Sequence, residues 1–335
     1  VIDDWTARAQ AELARKTMPA GALGGLGQLA VQLAAHQRTL EPRIGRTRLL
    51  LFAADHGVSA AGVSAWPREV TAQMLANFAR GGAAVSVLAR ALDDEVELND
   101  VGVDVDVAPP GVVLAKTRRG TRRFDLAPAM DAADLDAALQ AGGDAVGRAG
   151  VVDALLLGEM GIGNTSSAAA LLAALTGASA AQCVGRGTGI DDPTLARKQG
   201  LIEVALRRVG HVRAPADLMR ELGGLELAAM VGALQAARRS DTLVVVDGFI
   251  ASVCALTAVR IEPAIRELLI FAHRSAEHGH AHCLAALNAQ PLLALEMRLG
   301  EGSGAVLAVP LLRAAAAIMR EMASFAAAGV SDKTR

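Results

Sequence analysis

The chain has 335 residues, 52% hydrophobic and 20% charged, with a formal net charge of −2, a balance that excludes a disordered chain. Aromatic content is 2% with no Tyr, which argues against nucleic-acid binding, since that needs a basic surface and stacking rings. The length suits one large domain with a satellite, or two domains, and 71 alanines beside 34 glycines imply a core closed by near approach of elements rather than by ring bulk.

The first forty or so residues read as helix without strands. A buried strand follows at 48–54 (RLLLFAA), then helical patterns at 69–78 and 83–92, a strand at 95–101 and a helix at 132–146. A strand at 154–157 leads to helical segments at 166–175, 194–209 and 225–238. Strands at 243–247 (LVVVD) and 268–272 (LLIFA) precede a last helix at 304–322. This alternation predicts an α/β fold: a three-layer, doubly wound, mainly parallel sheet with a small helical domain built from both termini. The expected boundaries are 41–303 for the large domain, and 1–40 with 304–335 for the small one.

Other classes fall away. Cys183, Cys254 and Cys283 are far apart and form no CxxC pair, so neither a disulfide framework nor a Cys-rich zinc site is expected, and a reducing, cytoplasmic setting fits. The opening VIDDWTARAQ is polar, unlike a signal peptide. The longest uncharged stretch, between Glu159 and Arg186, is broken by polar residues and fails as a membrane span, which needs ~18–20 mostly apolar residues.

In doubly wound folds the ligand sits beyond the carboxyl ends of the strands, so the loops there carry the chemistry. GEMGIGNTSS (158–167) follows a strand and opens an Ala-rich helix. Its glycines permit close backbone approach, and the helix N-terminus suits a phosphate; an ordinary Asn/Ser/Thr cap explains it equally well. A second glycine-dense loop, GRGTGIDD (185–192), raises the weight of a phosphorylated ligand, with Lys198 on the next helix as a phosphate partner or a solvated lysine. In LGEGSGA (299–305), Glu301 between two glycines reads either as a general base or as a charge at a helix N-terminus. Asp55 and His56 end the first strand and read as a cap and a satisfied structural histidine. His278, His280 and His282 alternate, but in a loop entering a helix, so they are expected to be exposed rather than to hold a metal. His273 and Ser275 are better placed for a ligand.

Six motifs occur in order: ADHGVSxxGVSxWPxEVTxQM, GEMGIGNTS, GRGTG, DGFI (247–250), FAHRSAE and RLGEGSGA. Together, over roughly 24 to 322, they resemble the nicotinate-nucleotide–dimethylbenzimidazole phosphoribosyltransferases of cobalamin biosynthesis. The resemblance implies a homodimeric enzyme without a metal or cofactor. It would move ribose 5-phosphate from nicotinate mononucleotide to 5,6-dimethylbenzimidazole, giving α-ribazole 5′-phosphate and nicotinate. It assigns Glu301 as the base. Phosphate and ribose fall to Glu159, Gly161, Gly163, Asn164, Thr165, Ser166, Ser167, Gly187 and Lys198. Ser64, Gln73, Leu299 and the neighbourhood of Trp66 would border the benzimidazole, and Asp247, Gly248 and Ser275 the nicotinate.

The alternatives are weaker. A dinucleotide-dependent oxidoreductase needs a glycine fingerprint after its first strand, where ADHGVS stands instead. A transferase dependent on phosphoribosyl pyrophosphate needs a strand ending in paired acids followed by a Thr/Gly-rich phosphate loop, which the sequence lacks. A non-catalytic nucleotide- or benzimidazole-binding homologue predicts loss of the base, yet Glu301 is present.

Overall fold

In the computed structural model, which describes residues 2–116 and 118–331, the apolar runs form a six-stranded sheet. Residues 1, 117 and 332–335, part of the range expected for the two domains, lie outside the described residues. The strands are β1 (Thr47–Ala54), β2 (Glu95–Gly102), β3 (Val112–Leu114), β4 (Ala154–Met160), β5 (Leu243–Val246) and β6 (Leu269–Phe271). Their order is β3-β2-β1-β4-β5-β6, and the β1–β2, β2–β3, β4–β5 and β5–β6 pairings are parallel. This is the doubly wound order, in which the winding reverses between β1 and β4. The carboxyl ends of those two strands therefore border the crevice where such folds hold ligands.

Two compact units divide the chain: 48–307, and 1–47 together with 308–335. In the larger unit β1, β4 and β5 are buried along almost their whole length, as parallel strands covered by helices on both faces must be. Helix packing follows from the small residues. The helices Ala132–Ala149 and Leu225–Arg239 meet at Gly142 and Gly232, where an added Cβ would land on the Ala229 and Leu139 carbonyl oxygens. In the smaller unit the helices Ile2–Ala14 and Gly24–Gln37 pack together, and Lys16 pairs with both Glu12 and the backbone of Ser324.

Several elements went unread in the sequence, among them a strand and two helices. β3 has only three residues. The helix Phe249–Ile261 is apolar on every side, with all residues from Phe249 to Ala258 buried, so it shows no 3.6-residue period. The helix Pro215–Leu222 is short. One helix, Ser303–Glu321, is long and apolar enough to cross a membrane, but Ala305, Val306, Ala308, Val309, Leu312 and Ala315 are fully buried in the protein.

Candidate active site

The end of β4 delivers Glu159, and the chain then turns through Gly161 to Gly163, whose φ of 101° is left-handed, into the helix Asn164–Thr176. Ile162 N–H is given to Thr71 Oγ1 at 3.1 Å, which fixes the loop. Beneath it lies a sealed pair: His56 Nε2 is 2.5 Å from Glu226 Oε1 and His56 Nδ1 is 3.0 Å from Ser167 Oγ. His56 is thus a satisfied structural histidine. Asp55 caps no helix; its Oδ2 accepts Asp104 N–H at 2.8 Å.

Two adjoining pockets open above this loop. The smaller, of about 360 Å³, is lined by Gly161, Gly163, Asn164, Thr165, Gly187, Ser64 and Lys198. Lys198 is 1% exposed and donates to Thr165 Oγ1 at 2.8 Å and to Gly185 O at 3.2 Å. Burial pulls its ammonium down to about 8, and the nearby Glu277 carboxylate opposes that fall. Backbone N–H groups at a helix start plus a buried ammonium make an anion site.

The larger pocket encloses about 660 Å³ of space, part of it open to solvent. Carboxyls converge on it. Glu159, Asp247, Glu277 and Glu301 all line it, with Arg298 as a counter-charge. Its apolar walls are Met160, Ile162, Phe249, Ile250 and Leu299, so it is mainly aliphatic.

Glu301 stands out. Its φ is +66°, between Gly300 at +84° and Gly302 at +83°. A non-glycine residue there carries strain of about 1–3 kcal/mol and persists only if its surroundings hold it. Asp247, just past β5, supplies that hold: its carboxylate accepts Gly302 N–H at 3.3 Å and Ala305 N–H at 3.0 Å. Glu301 is 5% exposed and its Oε2 has no hydrogen-bond partner. Burial pushes its carboxyl up to about 7; the Val85 N–H opposes this and the Asp247 charge adds to it. Glu159 goes further, to about 8, through burial and then the charges of Glu226 and Asp247, although Asn164 donates to its Oε2. At neutral pH Glu159 is mostly protonated while Glu301 is poised to gain or lose a proton.

The structure brings Glu159, Gly161, Asn164, Thr165, Gly187, Asp247, Gly248, Ser275, Leu299 and Glu301 to the larger pocket. It turns Ser166 and Ser167 inward, both 0% exposed, so of that run only Asn164 and Thr165 line a pocket. Ser64 joins Lys198 rather than Leu299. Gln73 is exposed and lines neither pocket, and Trp66 lies on the surface. The histidines correct an expectation: His278 is exposed, but His280 is buried, accepting Ser275 N–H at Nδ1 and pairing through Nε2 with Ser252. Burial pulls it to about 3, so it stays neutral. Among the described residues no group of three or more His, Cys, Asp or Glu could hold a metal ion.

Glu277, Arg298 and Glu226 were not singled out in the sequence. Glu277 closes the FAHRSAE motif and Arg298 precedes LGEGSG, so both sat inside or beside the signals used. Glu226 is one acid in an apolar helix, and nothing local marks its partner 170 residues away.

A parallel α/β sheet with an anion pocket joined to a carboxyl-lined pocket at its switch point defines an enzyme acting on a phosphorylated small molecule. A family model described as phosphoribosyltransferase matches residues 2–330. A nicotinate-nucleotide–dimethylbenzimidazole phosphoribosyltransferase of Ralstonia nicotianae is 50% identical over 332 residues, covering 98% of this chain and 94% of the relative. One of Pseudomonas aeruginosa is 51% identical over 323 residues, covering 95% and 92%. The crystal structure of one from Thermus thermophilus superposes with a TM-score of 0.94 at 43% identity, covering 98% of this chain and 99% of the other. The chain belongs to the nicotinate-nucleotide–dimethylbenzimidazole phosphoribosyltransferase family.

The strain at the loop is testable. Gly300→Ala forces a Cβ onto the Glu159 carboxylate at a φ of +84°, so it is expected to lose about 1–3 kcal/mol and most activity. Glu301→Gly relieves both the left-handed strain and the buried carboxyl, so its thermal midpoint should equal or exceed that of the wild type while turnover is lost. Calorimetry beside steady-state assays separates the two; a Glu301→Gly protein that melts well below the wild type refutes the strained-loop account.

Proposed function

We infer that the enzyme transfers ribose 5-phosphate from nicotinate mononucleotide to 5,6-dimethylbenzimidazole, with Glu301 as general base. The observation that carries the base assignment is Glu301 itself: buried, held in a strained backbone, and raised to about 7 with one oxygen unpaired.

The chemistry matches these groups. Nicotinate leaves from a cationic pyridinium, so its ring nitrogen departs neutral and no leaving-group charge needs a metal or another cofactor. One benzimidazole nitrogen attacks the anomeric carbon from the face opposite nicotinate, which inverts β to α. The proton on the other nitrogen goes to the Glu301 carboxylate, a task for a base near the working pH. The 5′-phosphate takes the Gly161–Thr165 segment, Gly187 and Lys198, where backbone N–H groups and the buried ammonium meet its charge. Glu159, protonated at neutral pH, would donate a hydrogen bond near the ribose. The aliphatic walls around Leu299 suit a flat apolar base, while Gly248 and Ser275 face the nicotinate. A cytoplasmic homodimer belongs to the same reading, its compartment supported by three buried, unpaired cysteines.

Glu301→Gln is expected to fold normally and to lower turnover by ~10²-fold or more. Nicotinate release by chromatography, with nicotinate mononucleotide and dimethylbenzimidazole supplied, reads it out; a near-wild-type Gln variant removes Glu301 from the base role. The pH profile of kcat/KM follows from three groups. Glu301 must be ionised, so activity falls as pH drops through about 7, while Lys198 must be charged and Glu159 protonated, so it falls as pH rises through about 8. The acid limb should disappear in Glu301→Gln.

Lys198→Ala is expected to raise KM for nicotinate mononucleotide at least tenfold, the loss of one charge-assisted hydrogen bond of about 1.5–3 kcal/mol. The KM for dimethylbenzimidazole should move little. An effect confined to the benzimidazole KM places Lys198 elsewhere.

A further inference from the structure

Glu277 has no part in the reaction described above, yet it is 8% exposed beside the anion pocket. It lies in the turn after β6, where its N–H is given to Ser275 Oγ at 3.2 Å. Its Oε2 is buried without a hydrogen-bond partner, and fills the place where a Cβ on Gly185 would stand. Gly187 N–H also bonds the Glu277 carboxylate. Lys198 comes from a different element, the helix Asp192–Val209, and donates to Gly185 O. Carboxylate and ammonium thus meet on one glycine segment, 185–187.

The surroundings leave Glu277 as the compensating charge. Lys198 otherwise touches the neutral Thr165 hydroxyl and the Gly185 carbonyl. Glu277 faces Lys198, Arg298 and His278. Arg186, on the same segment, is paired with Asp192.

We propose that Glu277 is a positioning residue that keeps Lys198 charged and seated on the 185–187 segment, ready for the phosphate of the substrate. This rests on the phosphate reading of the Lys198 pocket. A fully buried ammonium loses its hydration, and a nearby carboxylate returns part of that loss; such a partner shifts a pKa by roughly 1–3 units. The same carboxylate also repels a phosphate dianion. Removing its charge therefore has opposite effects on the two sides of the lysine's titration. At acid pH, where Lys198 is charged regardless, phosphate binds as well as before or better. At alkaline pH it binds worse, because the lysine gives up its proton sooner. A carboxylate that merely braced the loop would weaken binding at every pH.

The test is calorimetric binding of inorganic phosphate to the full chain and to Glu277→Gln, from about pH 6 to about pH 9. The expected result is an alkaline limb displaced by about one pH unit or more toward acid, with acid-side affinity no weaker than that of the wild type. Gly185→Ala pushes the Glu277 carboxylate off its seat and should displace the limb in the same direction, which keeps the test open if Glu277→Gln does not fold. Coincident limbs, or an equal loss at all pH values, overturn the role of Glu277 while leaving the phosphate site intact. A wild-type protein that binds no phosphate at any pH overturns the phosphate reading and this inference with it.

Discussion

Asp247 accepts the N–H groups that open the helix Ser303–Glu321, and in doing so it fixes the preceding three left-handed residues. Free N–H groups at a helix start must find acceptors, and a carboxylate at a strand end is a strong one. The loop it holds also rests directly on β4. A Cβ on Gly158 would strike the Glu301 carbonyl oxygen, and one on Gly302 would strike Leu49 of β1. The position of Glu301 is thus set by two strands and one helix start, none of which it could leave without breaking a buried contact. That explains how a strained residue stays in place: the strain of about 1–3 kcal/mol is small beside the buried hydrogen bonds that would be lost.

The same crowding creates the electrostatics. Glu159, Asp247 and Glu301 come from the ends of β4 and β5 and from the loop above them, and each is buried. Three like charges cannot all ionise in such a space, so their affinities for protons separate. Asp247 spends its oxygens on backbone N–H groups, Glu159 retains a proton up to about 8, and Glu301 titrates near 7. Different roles follow from different environments rather than from different residue types. At the opposite end, Lys198 and a helix N-terminus supply positive potential. The site is thus polarised along its length, with the ammonium and helix N-terminus at one end and buried carboxyls at the other.

Much of this was legible in the sequence because the chemistry sits on strand ends and in glycine loops. The strand-then-loop order placed Glu159, Asp247 and Ser275, and the glycines around Glu301 marked a backbone that ordinary residues avoid. What stayed hidden shares a physical cause. Glu226 binds His56 across 170 residues, and the Glu277 charge acts on Lys198 from a separate element, a proximity that no local pattern records. Ser166 and Ser167 show the reverse. Asn-Thr-Ser-Ser at a helix start looks like four ligands, but a helix turns about 100° per residue, and the turn that presents Thr165 directs the next two side chains into the core. His280 failed for a similar reason: alternation along the chain did not reveal that Ser275 N–H and Ser252 enclose it.

The scarcity of rings now has a structural meaning. Glycine and alanine at the helix crossings let the backbone come close, as at Gly142 and Gly232, and the same economy operates in the pocket, where Gly161 lies against the Ala54 carbonyl and Gly300 against the Glu159 carboxyl. Any larger residue at these points would separate the carboxyls or lift the anion loop off its His56–Glu226 support. A site shaped by backbone approach leaves little room for stacking side chains, and among the described residues Phe249 is the one Phe, Trp or Tyr lining the larger pocket. On the proposed reading, in which Glu301 takes one proton, a flat base held there is selected by the position of an N–H more sharply than by its ring substituents, because one methyl against an apolar wall is worth only about 1–3 kcal/mol.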